Sequence, residues 1–370
     1  MTYAIHGATG AQGAPVVAAL TAVGKSVTAV TRNEHAVVDG ARVVSAAYSS
    51  AVDLTDAYRG AAGVFVHPPV AAEEDRRLFA DNILTAVREA RPDRVVFSTS
   101  GFPIDPAIGG AAATLAAGLA DSGVSHAVIA PELYLENLLM PYVIDSVRER
   151  GVLPYPTRAD FPVSWASHLD IADAVVALFD RLDVTGVVTV GQYPAITGPD
   201  LAEAFGARLG RDVVFEPITP EEFRISLAPL MGEGAAADIA GAYQAMSAMP
   251  GRSITSENSA QKLLGITPPN HGPVAGRHRR LTVITVGFAG LGSMTWPAAV
   301  LRRGLPRPPA QPTAPAETRT LQLPDVTDVV STARSITSSP APAGTVPGRR
   351  RLSPPAGAHA GRRPTTPATS

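Results

Sequence analysis

Three glycines at fixed spacing stand near the start of the chain, in Gly7-Ala8-Thr9-Gly10-Ala11-Gln12-Gly13. The mostly apolar Tyr3-Ala4-Ile5-His6 precedes them, and the helical run Ala14 to Val23 follows. Strand, glycine turn and helix in that order make an anion site. One glycine permits the tight turn, a second lets the main chain approach a pyrophosphate, and a third lets helix pack on strand. The helix N-terminus adds unpaired N–H groups and partial positive charge. A second strand, Ser26 to Val30, then ends at Thr31-Arg32-Asn33. In a dinucleotide site this strand end lies beside the adenosine ribose, where an acid would bind a free 2′-hydroxyl and an arginine suits a 2′-phosphate. The nearest acid is Glu34, two residues on. Arg32 points to NADP rather than NAD, with a solvated strand-end arginine as the plain alternative.

Other side chains able to do chemistry fall at later strand ends: His67-Pro68-Pro69, Ser98-Thr99-Ser100 and Pro131-Glu132-Leu133-Tyr134. Pro68 and Pro69 lack backbone donors and stiffen a loop, which serves a cofactor wall or any tight strand exit equally. His67 alone could be a loop residue or an acid–base group. Tyr134 could present a phenol to a cleft or pack while bonding through its hydroxyl. Ser100 and Asn137 could bond a substrate, and such residues also cap turns. No residue is singled out as catalytic. The absence of cysteine excludes disulfides, thiol nucleophiles and thiolate metal sites, and no metal site is expected.

The elements that must position these groups alternate. Short strands are expected at Ala41 to Ala46, Gly63 to Val66, Arg94 to Ser98 and His126 to Ala130. Helices are expected at Asp53 to Arg59, Glu73 to Ala90 and Ala111 to Asp121. The helix at Glu73 to Ala90 shows the helical period in Leu78, Phe79, Ile83, Leu84 and Val87. Repeated strand–helix units predict an α/β fold, a doubly wound parallel sheet with right-handed crossovers. Ligands of such sheets bind at the carboxyl ends of the strands. Beyond Gly151 the pattern loosens. Asp170 reads as the N-cap of a helix Ala174 to Phe179, and Gly186 to Val190 as a strand. A helix follows from Thr197-Gly198-Pro199 to Leu209, then a strand Val213 to Glu216 and a helix opening at Thr219-Pro220. These form a smaller lobe over the sheet. The expected organisation is a Rossmann core of about residues 1–150, an interleaved lobe of about 151–268, and a tail over 269–370.

The glycine run with Thr31-Arg32-Asn33 resembles the NmrA-like branch of the atypical short-chain dehydrogenase/reductase superfamily. Pro131-Glu132-Leu133-Tyr134-Leu135-Glu136-Asn137-Leu138-Leu139 is similar to that branch's segment after the sixth strand. Asp170-Ile171-Ala172-Asp173 resembles its Asp-Ile-Ala-Asp helix start, and Ser259 to Thr267 its closing helix. The likeness runs from residue 1 to about 268. It implies a Rossmann domain, a small substrate lobe and NADP(H). By position it implies that Gly7, Thr9, Gly10, Gln12 and Gly13 hold the pyrophosphate and Arg32 the 2′-phosphate. His67 and Pro68 would flank the nicotinamide-side ribose, with Ser98 and Thr99 near the ring.

Departures are as informative. Reductases of the wider superfamily use a Tyr-x-x-x-Lys pair to donate a proton. Here no tyrosine occurs between Tyr58 and Tyr134, and the only lysines are Lys25 and Lys262. Ala112 and Leu115-Ala116-Ala117 align where the branch often has a lysine and a glutamate. Ala130 replaces an arginine, and Ala46-Ala47 an acid near the adenine. Hydride transfer to a quinone-like or apolar acceptor asks less of the protein than carbonyl reduction, because the cofactor carries the chemistry. Two functions are therefore expected as alternatives. One is an NAD(P)H-dependent oxidoreductase on a small-molecule substrate; the other is a catalytically silent NADP(H) redox sensor that regulates through a protein partner, such as a transcriptional regulator.

Charge divides the chain. From residue 271 onward thirteen arginines face Glu317, Asp325 and Asp328, +10 in all, which leaves −12 for the first 270 residues of a chain of net charge −2. An acidic body argues against a nucleic-acid face on the folded part. The tail is rich in Pro, Ser, Thr, Ala and Arg, a composition of disordered segments, and the abrupt change also fits a shifted reading frame. Arg349-Arg350-Arg351 and Arg362-Arg363 could touch nucleic acid or anionic surfaces. Leu281 to Leu301 is uncharged and long enough to span a bilayer, but glycines, a proline and flanking arginines on both sides disfavour a span. No basic-then-apolar leader precedes Tyr3, so a cytoplasmic location is expected.

Overall fold

A computed structural model describes residues 1–69 and 71–266. The segments 281–301, 349–351 and 362–363, and the tail as a whole, lie outside the described residues.

The chain runs β1 (Thr2–His6), α1 (Gly13–Ala22), β2 (Ser26–Thr31), β3 (Ala41–Ser45), α2 (Ala51–Tyr58), β4 (Ala61–Val66), α3 (Glu73–Ala90), β5 (Arg94–Ser98), α4 (Ala111–Ala120) and β6 (Ser125–Pro131). There follow β7 (Leu133–Tyr134), a 3₁₀ turn (Leu135–Leu139), α5 (Pro141–Arg150), β8 (Val152–Tyr155), β9 (Trp165–Ala166), α6 (His168–Asp180) and β10 (Gly186–Val190). The last elements are α7 (Gly198–Leu209), β11 (Val214–Pro217), α8 (Pro220–Met231), α9 (Glu233–Ser247) and α10 (Ala260–Leu264).

Seven strands form one sheet in the order β10-β6-β5-β4-β1-β2-β3, every neighbouring pair parallel. A parallel sheet covered on both faces needs strands apolar on both faces. All five residues of β5 are accordingly buried, as are four of the five in β1. One face packs Val16, Val17 and Leu20 of α1 with Ile171, Val175 and Leu178 of α6. The other packs Leu54 and Tyr58 of α2, Ile83, Leu84 and Val87 of α3, and Leu115 and Leu119 of α4. From β1 the chain steps outward through β2 and β3, then returns to β4 on the opposite side of β1. That reversal opens a crevice beyond the carboxyl ends of β1 and β4, where ligands of such sheets bind.

The lobe has its own core, in which Tyr155, Trp165, Leu201, Phe205, Phe223, Leu227 and Tyr243 meet. Its small sheet pairs β8 with β11. The structure corrects two sequence expectations. The strand Gly186–Val190 extends the main sheet along β6 rather than building the lobe, because Val188 and Val190 continue its buried face. Asp170 is not the N-cap of α6; Ser167 is. The Asp170 carboxylate accepts the Ser167 backbone N–H at 2.7 Å and completes a capping box, so the helix starts two residues before Asp170. Helices α5 and α9 had no counterpart in the sequence reading; α9 is Ala- and Gly-rich and carries little apolar contrast to mark a face.

Candidate functional site

Everything converges on the end of β1. Gly7 adopts φ +60°, and its N-terminal neighbour His6 ends the strand. The Gly10 N–H donates to the Gly7 carbonyl at 2.7 Å and the Ala14 N–H to the Gly10 carbonyl at 3.0 Å, which coils the loop directly into α1. A Cβ on Gly13 would overlap the carbonyl oxygens of Gly7 and His6. Only glycine lets α1 begin that close to the strand. Helix α1 has no acid in its first turn and no side-chain cap, so its N-terminal field faces the crevice uncompensated. Thr9 is exposed at the tip of the loop.

Gln12 does something that spacing alone did not reveal. Its side chain is buried, its Nε2 donates to Ser100 Oγ at 2.8 Å, and its Oε1 accepts from Ser98 Oγ at 2.8 Å. The glycine loop is thereby tied to the end of β5, and Gln12 can offer a ligand only its main chain. Thr99 is also buried, its hydroxyl accepting the Gly101 N–H at 3.3 Å inside the turn. Ser100 sits at φ +54°, rare for a residue with a Cβ and held by Gln12 on one side. On the other side, Arg252 donates to the Gly101 carbonyl at 3.2 Å and to Glu132 Oε2 at 2.6 Å, clamping the turn from the lobe.

His67 follows β4 and hangs over Gly7. A Cβ on Gly7 would lie 2.5 Å from its Nε2. Burial lowers the His67 pKa to about 4, so the ring is neutral at pH 7. Its Nδ1 lies 3.3 Å from the Pro68 carbonyl, which can only accept, so Nδ1 carries the proton and Nε2 is a bare acceptor. That acceptor is shut away from water with no partner among the described residues. A buried acceptor of this kind costs roughly 1–3 kcal/mol until a donor reaches it. A ligand hydroxyl or amide at the crevice would supply one. Beneath it, His6 is held neutral more firmly still, its pKa lowered to about 3 by burial and by His67. His6 Nε2 and Tyr58 Oη are hydrogen-bonded at 2.8 Å.

Arg32 stands exposed at the end of β2, with no hydrogen bond or ion pair among the described residues. The buried Ala46 occupies the end of β3, so no acid competes there. The residues thus fit a dinucleotide in three respects: a cradle closed to any Cβ, an unfilled acceptor above it, and a free guanidinium at the far end. His67, Pro68, Ser98 and Ser100 gather with the glycine loop. Asn137 does not; its side chain lies beside the hydroxyls of Tyr155 and Tyr243 in the lobe.

Tyr134 packs its ring against His168, with centroids 4.5 Å apart and planes tilted by 42°. Burial raises its pKa, and its hydroxyl lies beside those of Ser98 and Ser100 without meeting hydrogen-bond geometry with either. Glu136 Oε1 accepts from Ser167 Oγ at 2.7 Å and from the His168 N–H at 2.9 Å, while its Oε2 lies 3.7 Å from His168 Nδ1. Sequence reading passed over Glu136 and His168 as site residues. They are 32 positions apart, and only the resemblance of the Glu-Asn segment hinted at the first. Among the described residues no group of three or more acids and histidines forms a metal cluster, and no helix is long and apolar enough to cross a membrane.

Comparison with known proteins bears on the domain and the fold. Residues 7–130 match the family model described as NAD(P)H-binding. No curated protein matches the chain by sequence. Among solved structures, the triphenylmethane reductase of Citrobacter sp. complexed with NADP(H) is 20% identical, with a TM-score of 0.61 over 71% of this chain and 95% of that one. The NADPH-dependent quinone oxidoreductase of Escherichia coli complexed with NADPH is 21% identical, TM-score 0.58, over 72% and 95%. NmrA, a negative transcriptional regulator, is 16% identical, TM-score 0.50, over 66% and 91%. The chain therefore has a Rossmann fold, and its residues 7–130 match an NAD(P)H-binding domain. Outside residues 7–130 the likeness is one of fold, which the described body shares with these reductases and with NmrA.

Proposed function

We propose that this chain is an NADP(H)-dependent oxidoreductase acting on a small quinone-like or apolar acceptor, with the nicotinamide supplying the hydride chemistry when bound. The observation that carries the choice of NADP is Arg32, a guanidinium exposed and unpaired at the end of β2, where an acid would select the free ribose 2′-hydroxyl. The main chain of Gly7 to Gly13 would hold the pyrophosphate at the α1 N-terminus. His67 Nε2 would accept from a ribose hydroxyl, and Pro68 would wall the same end. Ser98 and Thr99, locked by Gln12 and by their own turn, would form a fixed floor rather than move with the ligand. Named activities of the similar structures, NADPH-dependent quinone reduction and dye reduction, support a small acceptor.

A second reading rests on α4. This helix, Ala111–Ala120, carries neither tyrosine nor lysine, so the proton-donating pair of the wider superfamily is absent. A silent NADP(H) sensor acting on a protein partner has no need of it, and the fold is shared with a regulator. Titration of the full chain with NADPH and NADH, followed by a quinone, separates the two. NADPH is expected to bind at least tenfold tighter than NADH, and Arg32→Ala to remove that preference. Equal affinity for both cofactors refutes the assignment of Arg32. Acceptor-dependent oxidation selects the oxidoreductase; tight binding without oxidation selects the sensor.

A further inference from the structure

The proton for a reduced acceptor has no source on α4, yet one acid–base pair faces the crevice from the opposite side. We infer that His168, oriented by Glu136, is the group that exchanges a proton with the oxygen of the bound acceptor. The inference deepens the oxidoreductase reading and rests on it.

The geometry comes from three elements. Ser167 and His168 open α6, where the Ser167 hydroxyl and the His168 N–H both donate to Glu136 Oε1. This fixes the carboxylate from the 3₁₀ turn after β7. Its second oxygen, Oε2, has no hydrogen bond and lies 3.7 Å from His168 Nδ1, near enough to keep a proton on Nδ1 and to favour the charged ring. Tyr134 of β7 packs against the imidazole, with the two ring planes tilted by 42°. The remaining nitrogen, Nε2, has no hydrogen bond among the described residues, and the side chain keeps 15% of its surface exposed. His67, above Gly7, is close enough to His168 that the second ring disfavours its protonated form, which brings His168 to the same crevice. The charged and titratable groups around His168 are therefore Glu136 from the 3₁₀ turn, Tyr134 from β7, His67 from the end of β4, and Asp170 on its own helix, which is occupied by the Ser167 N–H.

The step balances with a reduced nicotinamide dinucleotide as the reductant. The acceptor, a quinone or another carbonyl compound, gains a hydride and its two electrons from the nicotinamide. One acceptor oxygen forms an O–H bond as the Nε2–H bond of the His168 imidazolium breaks. The neutral imidazole left behind, its Nδ1–H directed at Glu136, regains a proton from solvent. Burial lowers the His168 pKa and Glu136 opposes that shift, so the protonated fraction shrinks as pH rises through a value below the ordinary 6.5. Losing the Glu136 charge must shift that limb to still lower pH.

The test uses the full chain with NADPH and menadione. His168→Gln is expected to lower kcat by roughly 100-fold while leaving the NADPH dissociation constant within twofold. Glu136→Gln keeps an oxygen for the Ser167 and His168 donors, and is expected to move the descending limb of the kcat/KM profile to lower pH. Carbon-13 NMR of the His168 ring gives a readout independent of turnover: a titration midpoint below 6.5, lower again in Glu136→Gln, and a resonance displaced when menadione is added to NADP⁺-loaded protein. An unchanged rate and pH profile in His168→Gln, or a ring resonance indifferent to menadione, overturns the inference. If NADPH itself does not bind, it is the oxidoreductase reading that fails.

Discussion

Acid should weaken this fold well before its carboxylates titrate, and the cause is the pair of histidines under and over Gly7. Both are neutral in the folded chain, with pKa values lowered to about 3 for His6 and about 4 for His67 by burial. In the unfolded chain each returns to about 6.5. A folded pKa below the unfolded one means that the unfolded state binds more protons between the two values. Stability is then complete above pH 6.5 and lost as pH falls toward 4 and 3. At pH 5 the unfolded rings are almost fully protonated and the folded ones hardly at all. Integrating from pH 7 gives a loss of about 2 kcal/mol for each ring, about 4 kcal/mol together. That is a large part of the ~5–15 kcal/mol typical of a folded chain. The assay is urea unfolding followed by tryptophan fluorescence at pH 7 and pH 5. His6→Gln keeps an acceptor for Tyr58 and removes one titration, so about 2 kcal/mol of the acid loss should disappear. Equal stability at the two pH values, or an undiminished loss in His6→Gln, would falsify the neutral assignment, and with it the bare Nε2 acceptor of His67.

Further outcomes follow from the glycines and from the Arg252 clamp. Gly13→Ala drives a Cβ into the Gly7 and His6 carbonyls, so NADPH affinity should fall more than tenfold and the melting temperature with it; a variant binding as well as the parent would show that the loop is not the cradle. Gly241→Ala, inside α9 with open space around it, should instead gain up to about 1 kcal/mol, measured by the same urea titration. Arg252→Met leaves the half-buried Glu132 carboxylate unpaired and the Gly101 turn free, a loss of about 2 kcal/mol in urea unfolding, with a raised KM for the acceptor at unchanged NADPH affinity.

Why some of this was legible and some not comes down to the range over which each feature acts. The glycine loop could be read because its requirement is local: a positive φ at Gly7 and no room for a Cβ at Gly13 are conditions that seven consecutive residues satisfy. The strands beside it could be read because a parallel strand buried on both faces must be apolar throughout, as Arg94–Ser98 is apart from its ends. The place of β10 could not. Gly186–Val190 has the composition of any short strand, and only its pairing with β6 decides that it lengthens the main sheet instead of serving the lobe. Gln12 shows the same limit at one residue. Its position in the glycine run suggests a pyrophosphate contact, whereas its side chain bridges 86 and 88 positions to Ser98 and Ser100.

The crevice itself combines both kinds of information. The proposed cofactor side lies on consecutive residues after β1 and on Arg32, so it is legible in the sequence alone. The proposed acceptor side brings together Tyr134, Glu136 and His168, which meet because β7 pairs with β9 and α6 starts directly after it. Helix α4 is an alanine helix without a tyrosine or lysine, while the proposed acid–base pair lies on the 3₁₀ turn and at the start of α6. Loss of one proton source on α4 is consequently weak evidence for loss of turnover, and the behaviour of His168 is the observation that bears on it directly.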